Sequence, residues 1–429
     1  MKKTGKILIL IIIGFAMLSL CTYFIYQQHL DSEEISSDEI SSEGISLESP
    51  YNFKIPRGYS DDIEPYIDYL KTQHTDPVDY VIGLFDKYDI VVLGERNHKD
   101  ITQYELFYKI ISDKRFIQKF GYVFTEVGSQ TINNRLNKFL QAKDLNKSEV
   151  NTELIDIYRN ISSEGYWEKY NFYYLLNKIH YLNNSLPKGQ QVQVNCSDMP
   201  IDWDNVTHES YIEQALKRDK IMADFISSKY KEQKTSKSNK KFLVIMNSRH
   251  AFKEHMGSIS NTTAYLNEEF PGKVANIMIN TLRGLPGSDD KVDVNAPMQG
   301  GKWDAAFRYL NNKNTAFDFN NSPFGEDRFD YYDSEEHKEY KYKDIFNGFI
   351  FYYPLEKHLW VTNIPGIMDS EFIFTFAKRL KMIYPNTPDL ASFSEDQINQ
   401  QIKEMNTLKK EFYPDILSYN SEIQKWLKY

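Results

Sequence analysis

Residues Ile90 to Asp100 read IVVLGERNHKD. An aliphatic run enters a glycine, and a glutamate and a histidine follow three positions apart. A short run of this kind ending at a turn residue is the pattern of a strand buried on both faces of a parallel sheet. The polar residues behind it then either open a helix or stand at the edge of a site. As a helix start, Glu95 would be favoured by the helix dipole by a few tenths of a kcal/mol to about 1 kcal/mol. At helical i, i+3 spacing His98 would share its face.

Working outward, similar runs recur at Tyr122–Thr125, Val192–Asn195, Phe242–Met246, Val274–Ile279 and Gly348–Tyr352. The segments between them are long enough for crossover helices. Between the first two runs, Tyr104, Phe107, Tyr108, Ile110 and Ile111 give an amphipathic helix. Strands alternating with helices predict an α/β fold with a mostly parallel central sheet flanked by helices. The stretch from about 133 to 186 reads as a helical insertion, and about 285 to 340, rich in Gly, Pro, Asn and Asp, as an irregular region. Ser394-Glu395-Asp396-Gln397 is a capping box opening a C-terminal helix, and Ile416–Leu427 predicts another.

The N-terminus differs from this pattern. Ile7–Tyr26 is uncharged and has the roughly 20 apolar residues of a bilayer-spanning helix. Lys2, Lys3 and Lys6 precede it, so the positive-inside rule leaves residues 1–6 in the cytoplasm and the rest outside the cell. Its length and the absence of an A-x-A site favour an uncleaved anchor over a signal peptide. Residues 27–55, where EISS occurs twice among acidic and hydroxyl residues, read as a flexible stalk. Residues 56–429 form the predicted ectodomain. A net charge of −9 with no sustained basic patch excludes a nucleic-acid partner. Cys21 falls in the anchor, which leaves Cys196 without an intrachain disulfide partner.

In a parallel sheet, ligands bind beyond the carboxyl ends of the strands. The residues there are Glu95 and His98 after the first run, Glu126 after the second and Asp198 after the third. Asn247, Arg249 and His250 follow the fourth, and Asn280 and Arg283 the fifth. A carboxylate beside an imidazole fixes its tautomer and raises its basicity, so the ring can deprotonate water, and an arginine or second histidine can hold an oxyanion. Glu95, His98, Glu126 and His250 are thus the candidate catalytic set, and Asp198, Asn247, Arg249 and Arg283 the candidate substrate contacts. The same two glutamates and two histidines could instead hold a divalent metal, although GExxH lacks the HExxH spacing of zinc proteases. His255 reads as an exposed helical residue. The chain has neither a GxSxG elbow nor a Walker loop.

LGExxH at Leu93–His98, the strand ending in Glu126, RDxxMA at Arg218–Ala223, NSRH at Asn247–His250 and DIFNGFIFY at Asp344–Tyr352 resemble the erythromycin esterase superfamily. That group also includes proteins similar to the haem-uptake lipoprotein ChaN and the TraB/TIKI proteins. The resemblance spans roughly Tyr80 to Pro354. It implies His98 as general base, Glu95 and Glu126 as orienting and polarising groups, and His250 as the holder of substrate or oxyanion. The chain departs from the pattern at Lys99, where a glycine is usual, and at Asn247, near where a histidine is usual. The arginine expected in the following helix has no match, Phe107 and Tyr108 standing there instead.

The leading expectation is a membrane-anchored hydrolase of an ester, lactone or amide in a small molecule or peptide, requiring no cofactor. A metal-dependent protease is its variant. The alternatives are a non-catalytic binder of haem or a similar ligand, and a cell-surface interaction protein.

Overall fold

Each of the six apolar runs is a strand in the computed structural model, and a seventh completes one sheet. The structure describes residues 49–235, 241–256, 260–285, 294–331 and 339–429. These belong to the second of the two units into which the chain divides, Met1–Ile45 and Ser46–Tyr429. The predicted anchor and most of the predicted stalk lie outside the described residues. Among the described residues no helix is long and apolar enough to cross a membrane.

The strands are β1 (Ile90–Glu95), β2 (Tyr122–Ser129), β3 (Gln193–Asp198), β4 (Phe242–Asn247), β5 (Val274–Ile279), β6 (Thr315–Asp318) and β7 (Gly348–Phe351). Their order across the sheet is β3-β2-β4-β1-β5-β7-β6. All neighbours are parallel except β6, an antiparallel edge strand on β7. All six residues of β1 are buried, because the strand has a neighbour on each side and packed layers on both faces.

Helix α1 (Ile101–Ser112) follows β1, capped by Asp100, whose carboxylate accepts from the Thr102 N–H at 2.8 Å. Between β2 and β3 the chain forms α2 (Asn133–Leu140), α3 (Lys147–Tyr158) and α4 (Tyr170–Ser185). Helix α5 (Arg218–Thr235) precedes β4, and α6 (Thr262–Glu269) lies between β4 and β5. The Ser394 capping box is present and opens a helix over Glu395–Asn406, and the last helix covers Ile416–Gln424.

Two readings are corrected. The region expected to be irregular contains β6, a helix at Lys302–Tyr309 and a two-stranded ribbon pairing Leu282–Leu285 with Val294–Pro297. These elements are four to eight residues long, too short to show a period between their Asn, Asp and Gly neighbours. They are held by aromatic packing: Phe307 stacks on Phe351 at 3.9 Å, and the Trp303 indole, fully enclosed, donates to Asp327 at 2.7 Å. Second, Glu95 does not open a helix. It ends β1, and α1 begins only at Ile101.

Strand β2 runs four residues beyond its apolar start and is bulged. Thr125 faces Cys196 and Ser129 faces Asp198, so four steps along β2 span two along β3. Gly128 makes this possible with φ of 111°, and a β-carbon there would lie 2.7 Å from Cys196 Cβ. Bulges re-aim side chains at sheet ends, and this one contains Glu126.

Candidate active site

The strand order makes a row of Asp198, Asn247 and Glu95, the last residues of β3, β4 and β1, and of Glu126 in the bulge of β2. Glu95 is in register with Asn247, and the Ser248 N–H donates to the Glu95 carbonyl at 3.0 Å. Glu126 reaches sideways to the same loop, its Oε2 accepting from the Asn247 N–H at 2.6 Å.

At one end of the row His98 Nδ1 lies 3.0 Å from Glu95 Oε2. A turn, not a helix, supplies the i, i+3 proximity. The Glu95 carboxylate is buried among donors: Gln103 Nε2 approaches Oε1 at 3.4 Å, and the Tyr104 phenol is hydrogen-bonded to it. Burial and the Glu95 charge push the Tyr104 hydroxyl well above its ordinary value, so it stays a neutral donor. An acceptor-only carboxylate fixes Nδ1 as the protonated nitrogen and leaves Nε2 with a lone pair. That Nε2 faces Glu126 Oε1 at 3.9 Å, too far for a direct hydrogen bond. The Trp167 ring meets the imidazole edge-on at 5.1 Å, and Asn171 holds the His98 carbonyl from α4. Beneath the loop the buried Arg96 pairs with Asp100 at 3.0 Å and donates to the Tyr352 carbonyl at 3.0 Å, which ties the His98 turn to the end of β7.

At the other end His250 is enclosed. Its Nδ1 lies 2.6 Å from Asp219 Oδ1 and its Nε2 3.1 Å from Glu126 Oε1, so both ring nitrogens face carboxylates. Asp219 also accepts from the Thr262 N–H and hydroxyl, each at 2.9 Å. Arg218, first residue of α5, spans the row: Nε and one terminal nitrogen grip Asp198 at 2.7 and 3.1 Å, and that same terminal nitrogen reaches Glu126 at 3.1 Å. Its other terminal nitrogen has only a 3.4 Å approach to His250. Asp198 is completed by Ser163 and the Met199 N–H.

These contacts set the charges. Burial would lower the His98 pKa, but Glu95, by charge and hydrogen bond, and Glu126 outweigh it and hold the ring above its usual 6.5. Burial would raise Glu126; the charges of His250 and Arg218 instead drive it well below the ordinary carboxylate value. Asp219 falls to about 2, burial again being overcome by His250 and Arg249. Arg218 is held well above its usual range, the penalty of burial outweighed by Asp198 and Glu126.

The structure therefore gathers Glu95, His98, Glu126, Asp198, Asn247, Arg249 and His250. Arg283 is not joined to them: its ion-pair partner is Asp330, at 3.4 Å. His255 is not helical, and its ring accepts from the Asn261 N–H at 3.1 Å. Arg218 and Asp219 belong to the site although the strand-end rule passes over them, since they start a helix. RDxxMA, a charged pair ahead of an apolar helix face, was the available signal. Among the described residues no group of three or more His, Cys, Asp and Glu side chains is arranged to hold a metal. Glu126 is taken by Arg218, His250 and the Asn247 N–H, and both His250 nitrogens face carboxylates, so this donor set does not fit a metal ion in this arrangement. A cavity of about 190 Å³ lined by Phe53–Pro56, Arg308, Asn311, Asn312 and Glu356 shares no residue with the site.

No family profile matches the chain, and no curated protein is similar in sequence. Among solved structures, an erythromycin esterase variant in its open conformation is similar over 69% of this chain and 96% of its own, at 10% identity and a TM-score of 0.41. A succinoglycan biosynthesis protein matches over 69% and 94%, at 11% identity and 0.41. A Bacillus cereus protein matches over 70% and 97%, at 12% identity and 0.40.

Proposed function

We propose that this chain is a hydrolase in which the Glu95–His98 pair activates water against an ester, lactone or amide carbonyl, with residues 7–26 anchoring the domain outside the cell. The observation that carries the reading is the state of His98. Its Nδ1 is committed to a buried carboxylate, and its Nε2 faces a second carboxylate across 3.9 Å. A water bound between Nε2 and Glu126 gives its proton to Nε2 as its oxygen attacks the carbonyl carbon. The electron pair of the C=O moves onto oxygen, and the loosely held terminal nitrogen of Arg218 is the available donor for that oxyanion. Collapse expels the alkoxide or amine, which takes the proton back from His98. His250 keeps Glu126 ionised and in place and remains enclosed throughout.

The test is a panel of esters, lactones and amides with purified protein. Hydrolysis of at least one member is expected, reduced about 10²–10⁴-fold in His98→Ala with unchanged unfolding behaviour. Full activity in His98→Ala, or inertness across the panel, would remove the reading and leave a binding cleft.

A further inference from the structure

Across the ion pairs of this site the acids are hidden, and apart from the enclosed His250 the cations are presented. The Glu95, Glu126, Asp198 and Asp219 side chains are 1–9% exposed, whereas their partners His98, Arg218 and Arg249 are 24, 22 and 32% exposed. Lys169 extends the same face: its ammonium lies 3.9 Å over the Trp167 ring that meets His98. A ligand entering from solvent thus meets donors and positive charge, while the neutralising carboxylates lie behind them.

We propose that the natural substrate carries an anionic group, a carboxylate or phosphate, near the scissile carbonyl, and that Arg249 with Arg218 and Lys169 binds it. This rests on the hydrolase reading for the word substrate, but the anion site stands on geometry alone. Arg249 is the least committed cation: one terminal nitrogen contacts Asp219 at 3.3 Å, and the other lies against the His250 ring. A guanidinium that remains 32% exposed is suited to the two oxygens of a carboxylate or phosphate. The competing charge is Glu164, exposed on the rim and attracted to both Arg218 and Lys169. Glu168 is already paired with Lys169 at 2.7 Å.

The experiment titrates inorganic phosphate, and separately succinate, into the full-length protein at low ionic strength. Saturable binding is expected, weakened about tenfold in Arg249→Gln, strengthened in Glu164→Gln, and reduced by salt. Arg249→Gln leaves the buried Asp219 its contacts with His250 and Thr262, and Glu164 is exposed. Tighter phosphate than succinate binding assigns a phosphoryl-bearing ligand, and the reverse a carboxylate. Absence of saturable binding, or equal affinities in the wild type and Arg249→Gln, overturns the proposal. If neutral esters are cleaved as well as anionic ones, the anion reading fails and the hydrolase stands. If phosphate binds and the whole ester and amide panel is inert, the hydrolase reading fails and the anion site stands.

Discussion

At the scale of single residues, two histidines a few ångströms from one carboxylate have different tasks. His250 has each ring nitrogen on an acid and is 2% exposed, so it can neither receive a proton from substrate nor approach one. His98 has one nitrogen fixed and the other facing Glu126 across 3.9 Å, with the side chain 24% exposed. Because Glu95 and Glu126 hold its pKa above 6.5, its charged form is favoured and the base is neutral only at higher pH. The log of kcat/KM should therefore rise with pH through a midpoint above 6.5, matching the His98 ring titration followed by NMR. Glu95→Gln removes the main cause and should move that midpoint down. A midpoint unmoved by Glu95→Gln would break the pairing between the two residues. Glu95 and His98 were visible in the sequence because both follow an apolar run directly. The contact between them was predicted for the wrong local reason, since a turn brings them together.

At the scale of elements, the bulge in β2 is what turns Glu126, inside the strand, into the centre of the site. Had β2 continued in register, Glu126 would point along its pleat instead of toward the Asn247 N–H. Gly128 permits the bulge by its φ of 111° and its contact with Cys196. Gly128→Ala should cost on the order of 2–4 kcal/mol from the strained φ and the overlap together, read as a lower urea midpoint. It should also weaken catalysis in the remaining folded protein. A midpoint within error of wild type would mean the bulge tolerates a side chain. The apolar starts of all six parallel strands were legible because burial on both faces leaves no polar alternation. The bulge was not, because TEVGS looks like a strand running out. Strand β6 was hidden for a different reason: as a four-residue edge strand it needs little apolar sequence and takes its order from β7.

At the scale of the molecule, the row of ion pairs is also a clamp. Arg218 joins α5 to β2 and β3, and Asp219 joins α5 to His250 after β4 and to Thr262 at the start of α6. Nothing in the spacing of residues 95, 126, 198, 219 and 250 foretells that convergence; the strand order does, and it is set by packing between segments far apart in sequence. The clamp has a pH signature of definite sign. Asp219 and Glu126 have depressed pKa values in the folded chain, so their stabilisation is present above the unfolded carboxylate range and lost as pH falls through the folded values. For Asp219, the drop from 3.8 to about 2 corresponds to roughly 2 kcal/mol, lost between about pH 4 and pH 2. His98 acts oppositely: its raised pKa contributes stability below its unfolded value that disappears as pH rises through the folded one. Urea denaturation across this range should show stability falling into acid, with the loss between about pH 4 and pH 2 smaller by roughly 2 kcal/mol in Asp219→Asn. An acid limb identical in wild type and Asp219→Asn would show that the Asp219–His250–Thr262 contacts do not hold α5, β4 and α6 together.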